Sequence, residues 1–393
     1  MSARAAARRA LERLRVDLPD TLLRMFPRRA PVGLTAIGQP GPDSPVLLTG
    51  NFRLTVARVR RALVGLDAWL LVADSAGVNV WCAATGGHLT DHDVVAVLKT
   101  TGVGERVSHR RVILPQLAAT GIDGATIRER AGWRVIWGPV RATDLPAFLA
   151  AGHRATPAMR QVAFPWPQRL EMAIAWAFPI SVLAAAVGWV AWPSAWPRLV
   201  ALVWGMSLAL FLAFPLYGPG PGDSGVPGRA ERAVPLVAWA VFVALLVIIQ
   251  TAGSGFHTAT TLRWGVASLA VALVVALDLS GSTPVLKSGL HADRRMRIEL
   301  DAERCTGAGF CETVCPVRVF EVDHHRKTAT LPRAAACVQC GACIVQCPFD
   351  ALHFRMGDGA IVGPETVRRY RLNLLGKRAV AVGRTAADSR RLQ

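Results

Sequence analysis

Four long apolar runs dominate the chain between residues 170 and 280. Met172–Trp192, Leu199–Tyr217 and Val234–Ala252 carry no charged side chain, and Thr258–Leu277 carries one, Arg263. Each is long enough to cross a hydrocarbon core of about 30 Å as a helix. A buried soluble core does not present four such runs in succession. Pro179 is expected to kink the first, which neighbouring helices can accommodate. The pattern predicts an α-helical transmembrane domain with four spans over residues 166–281.

Upstream the pattern is shorter and broken. Ala68–Asp74, Arg110–Leu117 and Gly132–Val140 are brief runs rich in β-branched residues, the form of buried parallel strands. Helical candidates at Asp91–Thr101, Asp123–Ala131 and Ala142–Gly152 alternate with them. Strand–helix alternation predicts an α/β domain over residues 51–165 with a parallel sheet covered on its faces. Ligands of such sheets sit at the carboxyl ends of strands. Cys82 is expected in the loop after the first strong strand, which is such a position. Residues 1–50 read as a basic N-terminal arm. Its start can form an amphipathic helix with Leu11, Leu14 and Leu18 on one side, lying on anionic lipid or left in solvent.

Composition supports a membrane protein: 52% of residues are apolar, and the net charge is +18. Eight arginines fall within residues 1–30, and a second basic cluster, Lys287–Arg297, follows the apolar half. Neither is interleaved with the aromatic residues of a base-stacking surface, so nucleic acid is not expected as a partner. Basic flanks of apolar spans instead mark the cytoplasmic side, with Arg229 and Arg232 adding to the middle loop. An even number of spans leaves both soluble ends in the cytoplasm. The expected location is therefore a multi-pass protein of the cytoplasmic membrane, with lipid as a partner.

Seven of the eight cysteines lie in residues 299–356, beyond a basic linker at 282–298 and ahead of a tail at 357–393. Cys337, Cys340, Cys343 and Cys347, followed by Pro348, form C-x2-C-x2-C-x3-C-P, the run that ligates clusters in bacterial two-cluster ferredoxins. Cys305, Cys311 and Cys315 repeat that frame with Ala308 at the second position. In this arrangement each run's fourth cysteine serves the other cluster. Cys315, Cys337, Cys340 and Cys343 are thus predicted to hold one [4Fe–4S] cluster. Cys305, Cys311 and Cys347 are left one ligand short, which suits a [3Fe–4S] cluster or a [4Fe–4S] cluster whose unique iron takes an outside ligand. Zinc does not call for the doubled spacing, and disulfides fit a cytoplasmic face poorly. The segment reads as a dicluster ferredoxin domain of α+β type.

An electron-transfer module beside an α/β domain with a single thiol suits a cobalt corrinoid. Its Co(I) state needs a reductant, and a thiolate can be an axial ligand. At this point the chain resembles the mercury-methylation corrinoid proteins of the HgcA type. The resemblance rests on "NVWCAA" (Asn79–Ala84), and continues through Val107–Gly121, Gly132–Gly152, Ala155–Pro165, Pro227–Ala230 and Asp278–Leu290. Cys311–Phe320 resembles the ferredoxin partner of that family, HgcB, so the chain looks like the two fused end to end. The resemblance implies a Rossmann-like corrinoid-binding domain, a membrane domain and a ferredoxin that reduces cobalt. It implies a cobalamin-type corrinoid with Cys82 as the lower axial cobalt ligand. Asn79, Val80, Trp81, Ala83 and Ala84 would shape a cap helix beneath the ring. A thiolate opposite the methyl group favours delivery of a carbanion-like methyl to an electrophile such as Hg(II). A methyl donor protein or methyl-folate, and an electron donor to the ferredoxin, are the implied partners.

The sequence departs from this family at three places. Gly-Lys follows the alanines in the family, whereas Thr85 and Gly86 stand here; Ala308 replaces a cysteine; and no cysteine follows Cys347. An acceptor other than mercury keeps the same machinery. A corrinoid-free membrane electron-transfer protein, with Cys82 merely packed, is the alternative of another class. Three smaller groups carry weaker signals: His88 and His92 beside Asp91 and Asp93 read as a metal site or a solvated helix start; His324–His325 as a hairpin loop; and Ser108, His109 and Arg110 as a corrin edge or a solvated turn.

Overall fold

A computed structural model of the chain describes residues 15–24, 26, 28–218, 229–253, 255–282 and 296–370. The start of the amphipathic arm with Leu11 and Leu14, most of the linker 282–298, the family segment 227–228 and the tail from 371 lie outside the described residues. The chain divides into two compact units. One comprises residues 27–162 and 289–393, the other residues 1–26 and 163–288.

The first part of the former unit is a five-stranded sheet, β1 (Gly33–Ile37), β2 (Val46–Gly50), β3 (Ala68–Ala73), β4 (Arg111–Leu114) and β5 (Arg134–Trp137), in the order β1-β3-β2-β4-β5. Strands β2 to β5 run parallel, as their apolar runs predict, while β1 pairs antiparallel with β3 at the edge. The sheet therefore starts inside the segment expected to be a basic arm. Residues 46–50 are entirely buried, and the signal for β2 is simply too short to stand out. Helices α1 (Arg53–Ala62), α2 (Val80–Gly86), α3 (Asp91–Thr100), α4 (Gly124–Ala131) and α5 (Leu145–Ala150) connect the strands. Val56, Val59 and Leu63 pack with Leu47, Leu70, Ile113 and Phe148 in one core cluster. The order of the parallel strands reverses between β2 and β4. That switch point is where a ligand crevice opens at the carboxyl edge of a doubly wound sheet.

The other unit is helical: α6 (Trp166–Ala191), α7 (Trp196–Leu212), α8 (Arg229–Ala252) and α9 (Thr258–Ser282). Three of them are long and apolar enough to cross a membrane. The fourth, α7, has 17 residues, about 26 Å at 1.5 Å per residue. Pro179 lies within α6. This unit has buried apolar clusters around Phe211 and Met206, yet it also exposes large apolar side chains while burying a few polar ones. Ser181, Ser207, Ser268 and Gln250 are buried, whereas Val187, Val190, Val241, Ile248, Ile249 and Val266 are exposed. The buried hydroxyls are satisfied by helix carbonyls: Ser207 donates to Ala173 (3.0 Å) and Ser268 to Gly265 (3.0 Å). Residues 15–22 form a helix in the same unit, and Arg24 pairs with Glu171 at 3.6 Å.

The cysteine-rich part contains a sheet β10-β9-β6, with β6 (Arg297–Leu300), β9 (Leu352–Arg355) and β10 (Ile361–Val362). A hairpin of β7 (Glu321–Asp323) and β8 (Thr328–Thr330) holds His324 and His325 in its turn, as expected. Two short helices, α10 (Phe310–Val314) and α11 (Ala342–Gln346), carry Cys311 and Cys343. Helix α12 (Pro364–Tyr370) closes the described chain.

Candidate functional site

Cys82 lies not in a loop but in the first turn of α2. Asn79 caps that helix: its carbonyl accepts the Cys82 backbone N–H at 3.0 Å, and its amide donates to the Cys82 Sγ at 3.3 Å. Val80, Trp81, Ala83, Ala84 and Thr85 are all buried, and Cys82 alone is exposed. Seven residues are too few for a helix to persist unaided, so packing must hold it. Gly121 shows how closely: a Cβ there would lie 2.3 Å from the Ala84 carbonyl oxygen. Thr85, which stands where the family has glycine, donates to the Trp81 carbonyl at 2.9 Å and so completes its bonding inside the helix.

The approach to α2 depends on Asn51, which the sequence reading did not single out. Its side-chain oxygen accepts from the Ser75 N–H (2.9 Å), the Ser75 hydroxyl (3.0 Å) and the Gly77 N–H (2.9 Å), and its amide donates to Asp74 (2.9 Å). Asn51 follows β2 and these partners follow β3, so one buried side chain joins two carboxyl strand ends beside the switch point. Its position immediately after the apolar run Val46–Gly50 was the available signal. Together these contacts present one sulfur outward from an otherwise buried helix, at the edge where such sheets bind ligands. Ala83 and Ala84 face the protein rather than the open side, so it is the exposed Cys82 thiol, oriented by Asn79, that fits ligation of a corrinoid.

Ser108, His109 and Arg110 do not belong to this edge. They precede β4 and therefore lie at the amino end of the parallel strands. There Ser108 donates to Asp43, His109 Nε2 is 3.1 Å from the Ser44 carbonyl oxygen, and Arg110 lies over the Trp133 ring at 5.6 Å. The acids near His88 and His92 are occupied structurally. Asp93 accepts from Thr90 in a capping box, and Asp91 accepts the Asp123 N–H at 2.6 Å.

The seven C-terminal cysteines fall into the two expected groups. Cys311 has Cys305 and Cys347 as its thiol neighbours, while Cys315 and Cys340 neighbour Cys337. Cys343 faces Cys337, Cys340 and Cys315, with Cys311 as its link to the other group. Burial pushes the Cys311 thiol up to about 12 and the Cys315 thiol to about 11, and raises Cys340 and Cys343 as well. Such thiols ionise only when a cation compensates the charge. Among the described residues no group of three or more His, Cys, Asp or Glu is arranged to hold a metal ion. Thiolates around one tetrahedral zinc would lie about 3.8 Å apart, from a Zn–S bond of about 2.3 Å; those of an iron–sulfur cube lie farther apart.

The backbone of the two halves repeats residue for residue. Gly309 (φ 78°, ψ −3°) matches Gly341 (φ 75°, ψ −2°), each capping its helix. Gly307 (φ 67°) matches Gln339 (φ 57°), and Arg318 (φ 55°) matches Asp350 (φ 53°). Non-glycine residues seldom adopt such φ values, so Gln339, Arg318 and Asp350 mark a backbone held for a purpose. Backbone N–H groups reach the sulfurs, from Val319 to Cys315 (3.2 Å) and from Gln339 to Cys337 (3.4 Å). Ala308 therefore sits in a cluster-binding loop of unchanged shape. It is exposed, whereas its counterpart Cys340 is buried. A cavity lined by Cys305, Cys311, Cys347, Phe310 and Phe349 opens there. The residues fit one four-thiolate and one three-thiolate cluster.

Comparison with known proteins bears on both parts. Residues 24–149 match the family model described as the CO dehydrogenase/acetyl-CoA synthase delta subunit. Residues 304–351 match the 4Fe-4S dicluster domain. The chain is similar to the acetyl-CoA decarbonylase/synthase complex subunit gamma of Archaeoglobus fulgidus, 39% identical over 119 residues, covering 30% of this chain and 25% of that protein. The same subunit of Methanopyrus kandleri is 37% identical over 125 residues, covering 31% and 27%. That of Methanocaldococcus jannaschii is 34% identical over 125 residues, covering 31% and 25%. The chain thus spans about a quarter of the length of these relatives. It carries a corrinoid/iron–sulfur protein domain of this family and a dicluster ferredoxin domain. The family match begins at residue 24, which agrees with strands β1 and β2 lying ahead of residue 51.

Proposed function

We propose that the chain is a membrane-bound, corrinoid-dependent methyltransferase of the mercury-methylation type, with a built-in ferredoxin domain that re-reduces its cobalt. The single observation that carries this reading is Cys82: one exposed sulfur on an otherwise buried helix at the switch point of the sheet. When bound, a corrinoid supplies a methyl carrier that cycles between methylated and reduced cobalt. The chain's own residues do the rest. Cys82 would supply the thiolate that holds the cobalt, and Asn79 would orient its sulfur through the N–H···S contact. Ala83 and Ala84, both fully buried, seat α2 closely on the loop behind it, and Asn51 fixes the approach to α2. Cys315, Cys337, Cys340 and Cys343 hold a [4Fe–4S] cluster, while Cys305, Cys311 and Cys347 hold a [3Fe–4S] cluster.

Helices α6–α9 anchor the protein in the cytoplasmic membrane. The α/β and ferredoxin parts share one compact unit although the helices separate them in sequence. The intervening chain must then cross an even number of times, which the four helices satisfy. The basic flanks support a cytoplasmic side for both soluble parts. The methyl donor is a corrinoid-directed donor protein or methyl-folate, and Hg(II) is the acceptor. Single-turnover transfer from the methylated protein to Hg(II), run beside Cys82→Ala, tests this. Methylmercury from the wild type alone supports the reading. Methylated wild type that leaves Hg(II) unchanged but transfers to a thiol or metalloid reassigns the acceptor.

A further inference from the structure

The ferredoxin domain does not hang on its linker beside the α/β domain; a buried clasp joins them within one compact unit. Gln346, the last residue of α11, is 8% exposed. Its amide nitrogen donates to the carbonyls of Ala119 (3.0 Å) and Ile122 (2.7 Å), and its oxygen accepts the Gly124 N–H at 3.2 Å. Three non-parallel bonds to one loop fix both position and rotation. A second anchor joins the Val162 N–H to the Pro316 carbonyl at 2.8 Å. Glu312 of α10 acts on Arg160 across the same seam.

The anchors stand next to the cluster cysteines. Gln346 precedes Cys347 of the three-thiolate group, and Pro316 follows Cys315 of the four-thiolate group. The receiving loop is the one that backs the Cys82 helix: Gly121 packs against the Ala84 backbone, and the Asp123 N–H bonds to Asp91. A single segment, Gln116–Gly124, therefore touches the helix bearing Cys82 on one side and the cluster helix α11 on the other. In the repeated frame the counterpart of Gln346 is Val314, which is buried and has no such polar reach. The amide is a feature of one half only, as a docking contact would be.

We propose that the loop Gln116–Gly124 is a docking platform on which Gln346 locks the ferredoxin domain, so that electrons reach the Cys82 site inside one fixed unit rather than by collision. The electron-delivery part rests on the function proposed above; the docking part does not. Each delivery moves one electron: a reduced cluster is oxidised as cobalt(II) held at Cys82 becomes cobalt(I). A low-potential one-electron donor then restores the cluster, dithionite serving in the assay. Holding donor and acceptor together makes the step unimolecular and independent of protein concentration.

The test uses the full-length protein with a protease site introduced between residues 283 and 295, cleaved after purification. In the wild type the two pieces should stay together on gel filtration at micromolar concentration. Gln346→Glu sets a carboxylate against two carbonyls, and should weaken their association about tenfold or more with iron and sulfide unchanged. Gly124→Pro tests the platform side, away from the cysteines. Gly124 opens α4 after an extended Asp123, a position that accepts proline, which removes the N–H and sets its Cδ against the Gln346 oxygen. It should weaken association even if the Gln346 variant fails to assemble clusters. Wild-type pieces that separate with full iron content, or two variants that bind as tightly as wild type, overturn the docking. With corrinoid bound, cobalt reduction by dithionite-reduced clusters should proceed at a rate independent of protein concentration in the cleaved protein, where no covalent tether holds the parts together; a rate proportional to concentration also overturns it. Pieces that hold together in a protein binding no corrinoid leave the docking standing and refute the methyltransferase reading instead.

Discussion

Replacing Ala308 with cysteine should turn the three-thiolate site into a second four-thiolate site. The structure fixes what the change must accomplish. Ala308 holds the position of Cys340 in the repeated frame, and the residues that follow, Gly309 and Gly341, differ by 3° in φ (78 against 75) and 1° in ψ (−3 against −2). Positive φ is also kept at Gly307 and Gln339 on the other side. A cysteine at 308 thus starts from the same backbone as Cys340 and needs no rearrangement to reach the open corner. Because Ala308 is exposed, the new sulfur meets no overpacked core. The expected change is one iron: about seven per chain in wild type, from one three-iron and one four-iron cluster, and about eight in Ala308→Cys. Electron paramagnetic resonance of the oxidised protein reads the same change. A three-iron cluster gives one unpaired spin per chain, whereas oxidised four-iron clusters give none. Adding Fe(II) with a reductant should abolish the wild-type signal, and reoxidation should restore it. The reasoning is refuted if oxidised wild type already holds eight irons without that signal, or if the variant retains the signal at full intensity.

Three further outcomes follow from the geometry. Asn51→Ala removes four hydrogen bonds and leaves the Ser75 and Gly77 N–H groups unpaired, so it should cost about 3 kcal/mol in thermal unfolding and release bound corrinoid; Asn51→Asp, which keeps the acceptor, should recover part of both. Gly121→Ala must move its loop or α2 by about 1 Å to relieve the 2.3 Å approach to Ala84, an overpacking worth about 1–3 kcal/mol, and should lower cobalt retention at unchanged iron content. The third concerns pH: a hydrogen bond from Arg355, aided by His353, holds the Glu299 carboxyl below the usual carboxylate range. Its contribution is present above the ordinary carboxylate value and is lost as pH falls through the lowered one. Unfolding of wild type and Glu299→Gln across acid pH should show a small wild-type advantage that fades in that window.

How much of this was legible in the sequence differs by element. The strands at Ala68–Ala73, Arg111–Leu114 and Arg134–Trp137 stood out because brief β-branched runs alternate with helical segments. Val46–Gly50 did not, because five residues of uniform burial carry no period and follow a glycine- and proline-rich stretch. The cysteine grouping followed from spacing alone, since ligation dictates spacing. Position also betrayed Cys82, but its helix came only from the family resemblance: seven residues held by Asn79, Gly121 and tertiary packing leave almost no local signature. Gln346 was invisible for a related reason, and Asn51 nearly so, its one cue being its place after Val46–Gly50. Each acts on backbone groups 24 or more residues away, and a single polar side chain has no pattern to read. Ser108–Arg110 were ambiguous in sequence because the edge of a sheet on which a turn lies depends on strand direction.

The account stands or falls on cobalt at Cys82. Protein purified without oxygen and supplied with corrinoid should hold about one cobalt per chain with one thiolate ligand. Cys82→Ala should change the visible spectrum of any corrinoid retained, and leave the iron content untouched. Wild-type protein with a full complement of iron and sulfide that binds no corrinoid, or a spectrum identical in Cys82→Ala, would contradict it.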